Sequence, residues 1–212
     1  MYIPTHFKEE RIPVLQEAVR QFGFATLVTY GTEGLEANHL PLLMSTEPAP
    51  LGTLHGHLAR GNPQWRRLQP GIQALAIFQG PNAYISPSWY PTKQETGKVV
   101  PTWNYITVHA YGEIAIVDDP AQLRDHVGKL TEAHEAARPA PWSVSDAPSD
   151  YIDQMLRGIV GIKLVISRIE GKWKLSQNRS LSDIAGVQQG LTKESGAAAV
   201  AMAAAMAKSG PS

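Results

Sequence analysis

The chain has 212 residues, 19 basic and 19 acidic, so its formal charge is zero and it carries no global attraction for nucleic acid or an anionic membrane. It has no cysteine, which excludes disulfides, thiolate metal sites and a cysteine nucleophile. Apolar residues make up 43% of it, enough for one sizeable core; with no signal-peptide pattern and no apolar run near the ~20 residues that span a bilayer, a reducing cytoplasm is expected.

Taken in order, Met1 to Phe7 reads as extended or turn-like, because Pro4 biases Ile3 away from helix. Lys8 to Phe22 places Leu15, Ala18, Val19 and Phe22 at helical spacing, and Gly23 ends the helix. Phe24 to Tyr30 is a buried strand, Gly31 to Gly34 a hairpin turn, and Glu36 to Met44 the returning strand, with Pro41 marking an edge or bulge. A third strand covers Leu51 to Leu58. Asn62 is a good N-cap, and Pro63 starts a short helix. Gln73 to Gln79 and Asn82 to Ile85 read as two further strands. From Thr107 the pattern alternates strictly, Val108, Ala110, Ile114 and Ile116 on one face, with Gly112 suggesting a bend or bulge. Asp119-Pro120 caps a helix to about Ala137 with Leu123, Val127 and Leu130 as its stripe, and a shorter helix runs from Pro148 to Leu156. Gly158 to Ile169 is a strand, Glu170-Gly171 a turn, Lys172 to Gln177 the last strand, and Ser180 to Asp183 resembles a capping box. Residues 1–191 thus read as one domain with a helical excursion at about 120–157. Residues 192–212 read as an Ala-rich tail, a frayed helix without a distinct stripe to dock. Antiparallel strands without βαβ alternation point to an all-β or α+β barrel.

Two stretches carry chemistry. Arg60, Asn62, Arg66 and Arg67 surround the short helix start, a pattern suited to phosphate or to a solvated helix with surface arginines. Pro81 to Val117 holds Ser86-Pro87-Ser88-Trp89-Tyr90 and Thr102-Trp103-Asn104-Tyr105, whose rings, hydroxyls and amide suit a flat, polar-edged ligand or close an aromatic mini-core. His55 and His57 share a strand face, and His39 or His109 could add a third imidazole. No carboxylate stands at a suitable spacing and there is no HExxH, so no metal site is expected. There is no GxGxxG, GxSxG or P-loop.

Five phrases in order, MYIPTHF, GHLARGNPQW, PNAYISPSWYP, VPTWNYITVHAYG and IVGIKLVISRIEGKWKLSQNRSLSDIAGVQQGL, resemble the PaiB family of FMN-binding negative transcriptional regulators. The resemblance spans Met1 to about Leu191. It implies a mainly β, α+β fold similar to the split β-barrel of flavin reductases and pyridoxamine phosphate oxidases. It also implies a homodimer with FMN at the subunit interface. The phosphate would then fall to Arg60, Asn62 and Arg66, and the ribityl chain and ring to Ser86, Ser88, Trp89, Thr102, Trp103 and Asn104. Lys174 and Gln177 stand about where split-barrel oxidases place a basic residue reaching the partner's flavin. The role implied is repression, by direct or indirect action on DNA; with no helix-turn-helix phrase, the basic segment Arg168 to Arg179, doubled by dimer symmetry, is the DNA candidate. Two other functions stay open. One is a flavin-dependent oxidoreductase taking electrons from NAD(P)H, with His39, His57 or His109 as proton donor. The other is a haem protein with His55 or His57 as axial ligand.

Overall fold

The structure, a computed structural model, describes residues 1–31, 33–68 and 71–208. Thr32, inside the expected Gly31–Gly34 turn, lies outside the described residues, as do Gln69, Pro70 and the last four positions of the tail.

The strands are β1 (Lys8–Glu9), β2 (Phe24–Gly31), β3 (Gly34–Pro41), β4 (Leu43–Ser45), β5 (Thr53–Ala59), β6 (Gln73–Ile85), β7 (Thr102–Val117) and β8 (Ile159–Lys174). The helices are α1 (Ile12–Phe22), α2 (Gln64–Arg67), α3 (Thr92–Thr96), α4 (Pro120–Glu135), α5 (Ser149–Arg157), α6 (Leu181–Lys193) and α7 (Ala197–Lys208). The eight strands form one sheet in the order β3-β2-β6-β7-β8-β5-β4, with β1 paired to β8. It is an antiparallel sheet with accompanying helices, as the absence of βαβ alternation predicts. The chain divides into two compact units. One holds Met1–Ala18, Gln79–Val108 and Glu170–Ser212; the other holds Val19–Phe78 and His109–Ile169.

Local chemistry explains where the elements depart from expectation. The first helix starts at Ile12, not Lys8. Lys8 and Glu9 pair with Lys172 and Gly171 as a strand, and Glu9 Oε1 then accepts from the Arg11 amide at 2.9 Å. The strand expected from Glu36 to Met44 is two. Pro41 closes β3 opposite Phe24, and after Leu42 the chain pairs instead with β5, Leu43 opposite His55. Proline donates nothing to a ladder, so both pieces occupy ends of the strand order.

Two expected breaks are absent. β6 runs unbroken through Gly80-Pro81, and β8 runs unbroken through Glu170-Gly171. At Gly171 a Cβ would lie 2.2 Å from Leu15 Cδ2, so that glycine admits a neighbour to the strand and makes no turn. Gly112 lies inside the continuous β7, where a Cβ would sit 2.0 Å from the Val165 carbonyl oxygen, so it lets β8 approach closely.

Caps form where the sequence places them. Asp119 accepts from the Gln122 amide at 2.9 Å to start α4, and Ser180 from Asp183 at 3.2 Å to start α6. The tail is more ordered than expected. α7 buries Ala199, Met202 and Met206, and packs on α6. Those positions, three and four apart, form a stripe that an alanine-and-methionine sequence conceals because every position is weakly apolar.

Candidate functional site

In the unit built on Val19–Phe78, β5 leads into the arginine-flanked turn. Asn62 Oδ1 accepts from the Gln64 amide at 2.9 Å, and Pro63 already has helical angles, φ −72° and ψ −18°. The helix start faces solvent at Gly61 and Pro63, not apolar packing. The three arginines divide the work. Arg60 ion-pairs with Asp118 through both terminal nitrogens, and donates to the carbonyls of Arg157 and Ile159 at 2.9 Å each. The hydrogen-bonded Asp118 carboxylate pushes the Arg60 pKa up, and the Arg60 guanidinium in turn holds Asp118 below the usual carboxylate range. Arg67 binds Glu33 at 2.8 Å and Glu36 at 3.0 Å. Arg66 is exposed, lies over the Trp65 ring at 5.1 Å, and has no ion pair among the described residues.

The other unit holds the aromatic segment. Ser86 Oγ accepts from the Ser88 amide at 3.2 Å and caps a single turn at Pro87–Trp89. Lys93 Nζ donates to Ser88 Oγ at 3.2 Å. Trp89 lies against α6: a Cβ at Gly190 would come within 2.3 Å of its ring, and one at Gly186 within 2.1 Å of its carbonyl oxygen. Asn104 is fully buried, with Nδ2 donating to Ser176 Oγ at 3.0 Å and to Met206 Sδ at 3.6 Å. Lys174 Nζ donates to Thr102 Oγ1 at 2.6 Å and to the Trp103 carbonyl. Burial, then the charges of Lys172 and Arg179, push its pKa down. Gln177 turns back on its own chain, accepting from the Leu175 amide at 2.7 Å and donating to the Trp173 carbonyl. Trp103, 54% exposed, and Tyr84, 48% exposed, meet edge to face with centroids 6.1 Å apart. Among the described residues Tyr90 Oη is buried without a close hydrogen-bond partner, and its ring lies 5.0 Å beneath the Arg179 guanidinium.

The histidine pair of β5 has a third member that the sequence does not advertise. His57 Nδ1 meets His126 Nε2 of α4 at 3.1 Å, rings roughly perpendicular. Burial pushes all three imidazoles down, His126 to about 4 with His57 and His55 adding to the effect, so the cluster is neutral at pH 7. No group of three metal-ligating side chains stands together among the described residues.

Residues 1–168 match the family described as "Putative FMN-binding domain". The chain belongs to this FMN-binding family. It is 35% identical over 206 residues to "Protease synthase and sporulation protein PAI 2" of Bacillus subtilis, covering 97% of this chain and 96% of that one. An uncharacterised Aspergillus fumigatus protein is 34% identical over 238 residues, covering 91% of each. The resemblance to PaiB is therefore sound. Among solved structures, an FAD- and haem-binding protein of Mycobacterium smegmatis matches with a TM-score of 0.61, 14% identity, and 84% of this chain on 78% of that one. A Bacteroides thetaiotaomicron protein described as a putative 5-nitroimidazole antibiotic resistance protein gives 0.57, 13% identity, and 78% on 85%. The fold is the split β-barrel class expected.

Within this FMN-binding family member, Arg60, Asn62 and Arg66 stand together in one unit, and Ser86, Ser88, Trp89, Thr102, Trp103, Asn104, Lys174 and Gln177 belong to the other. Thr102, Trp103 and Lys174 are joined directly, as are Ser86 and Ser88. His126 was missed by sequence reasoning. Its signal was present: it falls three residues after Leu123, on the stripe expected to face the sheet.

Proposed function

We propose that this protein is a PaiB-like, FMN-binding negative regulator of transcription, acting as a cytoplasmic homodimer in which each flavin at the subunit interface is held by residues of both chains. The observation that carries the reading is the family match across residues 1–168, which contains every residue put forward for the flavin except Lys174 and Gln177.

The residues present fit the group. Arg66 is an exposed cation without an ion pair among the described residues, and serves as the first phosphate ligand. Arg60 and Asn62 stand behind it, Arg60 shaped by its contacts with Asp118. The exposed Trp103 and Tyr84 rings offer an apolar platform of the kind a flavin ring covers. Ser86, Ser88 and Thr102 supply hydroxyls for the ribityl chain. Lys174 sets an ammonium of lowered pKa against Thr102, while Trp89, Asn104 and Gln177 are committed to α6, Ser176 and their own backbone and take no direct part. When bound, the flavin would supply the redox and light-absorbing chemistry; the protein supplies binding and orientation.

DNA contact is indirect in this reading. In the segment Arg168 to Arg179, Lys172 is buried and donates to the Tyr2 carbonyl at 3.1 Å, and Lys174 is committed to Thr102 and Trp103. Of the segment's four cations, that leaves Arg168 and Arg179 as the ones that could meet phosphates.

The test is to denature the purified protein and identify the released chromophore. One FMN per chain is the expected result. FAD, haem or no chromophore would overturn the FMN assignment. Bleaching of flavin-loaded protein by anaerobic NADH or NADPH, faster than free flavin, would move the function to an oxidoreductase.

A further inference from the structure

Against the outer side of β5 and β8, α4 leaves a space that no part of the flavin reading uses. Its first turns sit close: at Gly161 a Cβ would lie 2.8 Å from the Val117 carbonyl oxygen and 2.9 Å from Leu123 Cδ2. His126 then meets His57. Beyond that contact the lining residues of α4 are Lys129, Glu132 and the small Ala133, and between them and the sheet lies a cavity of about 520 Å³. Pockets of ~300–1,000 Å³ are those that enclose small organic ligands. None of the residues put forward for the flavin lines it.

Its chemistry is specific. Leu43, Met44, Leu123 and Ile162 give it an apolar lining. Its lining also carries two cations and two carboxylates: Lys129, paired with Asp125 at 2.7 Å, and Lys163 and Glu132. Two imidazoles remain. Among the described residues, half-buried His55 lines the cavity and makes no hydrogen bond, and His126 Nδ1 is buried without a partner. A neutral imidazole has one donor and one acceptor nitrogen, and an apolar surround makes leaving either unmet costly. A hydroxyl, which both donates and accepts, satisfies whichever tautomer is present.

We propose that the cavity between α4 and the β4-β5-β8 face is a second ligand site, for an uncharged, mostly apolar molecule bearing a hydroxyl, of the phenol class, held through His55. This goes beyond the flavin assignment and does not depend on it.

The test titrates full-length protein with 2-naphthol by fluorescence, alongside 2-methylnaphthalene, which replaces the hydroxyl by a methyl, and 2-naphthoate, which is anionic. Saturable binding of 2-naphthol, one per chain and at least tenfold tighter than either analogue, is the expected result. Ala133→Trp, at an exposed helix position, fills the cavity and abolishes binding with the melting temperature and FMN affinity unchanged. His55→Leu removes the tenfold preference over 2-methylnaphthalene and leaves weak apolar binding. No saturable binding, a preference for 2-naphthoate, or binding indifferent to Ala133→Trp would overturn the proposal. So would loss of FMN together with 2-naphthol in Ala133→Trp, because the cavity would then belong to the flavin. A protein that binds 2-naphthol but no FMN leaves this site standing and removes the flavin function instead.

Discussion

The segment from Ser86 to Asn104 and the β5–α4 face show opposite relations between how conspicuous a residue is and how free it is. The aromatic segment is dense in the residue types that bind ligands, yet Trp89 lies on α6, Asn104 is enclosed by Ser176 and Met206, and Ser86 caps a turn. The β5–α4 face has the outward form of ordinary helix-on-sheet packing, yet it holds a cavity and a buried imidazole nitrogen with no partner. Aromatic and amide side chains gain most from burial and hydrogen bonding, so a cluster of them is consumed by folding first. What is left for a ligand is the part folding could not satisfy.

The most direct way to break this comparison is Gly190→Ala. If Trp89 is held by α6, the added Cβ falls on its ring, and overpacking should cost about 3 kcal/mol in chemical denaturation, with a shift in tryptophan emission. A near-neutral effect would mean that Trp89 is free to serve a ligand. Asn104→Ala should follow at about 2 kcal/mol, because it strips Ser176 Oγ of a buried partner. FMN affinity of the folded variant should be unchanged; a large loss of affinity at unchanged stability would return Asn104 to the ligand.

Much of this fold was legible in the sequence because its signals are local. Alternation gave β7, Asp119-Pro120 and Ser180–Asp183 gave two helix starts, and Pro41 gave the edge. The misreadings concern glycines. Gly80 and Gly171 read as breaks between strands, because sequence alone cannot separate a glycine that ends its strand from one that lies inside a continuous one. The site was legible as a set of residue types and not as a division of labour. Which arginine keeps an open charge depends on Asp118, Glu33 and Glu36, and Asp118 is 58 positions from Arg60. The α4 cavity left a fainter trace, one histidine on an otherwise aliphatic stripe.

The arginines sharpen the same contrast between occupied and open groups. Arg66→Ala should weaken FMN binding about tenfold or more, the usual consequence of losing a charge-assisted phosphate contact. Arg60→Ala should weaken it less, since Asp118 already shares that guanidinium. Equal losses would show that phosphate displaces Asp118 and that both arginines are ligands.

The smallest effect is a pH dependence confined to the α4 side. His126 has its folded pKa lowered to about 4, against an ordinary value of 6.5. Between those values the unfolded chain binds more protons than the folded one, so stability is complete above pH 6.5 and falls as pH drops toward 4. The imidazole is only partly buried, and the loss by pH 5 should be about 1 kcal/mol, a fall of roughly 3 °C in melting temperature. His126→Leu should flatten this slope while leaving the residual drift from His55 and His57, whose pKa values are lowered in the same direction. An unchanged slope in His126→Leu would mean the ring is hydrated in solution and its unpaired nitrogen is met by water. The contrast between the two regions would then shrink to the aromatic segment alone, because the β5–α4 face would hold no unsatisfied group.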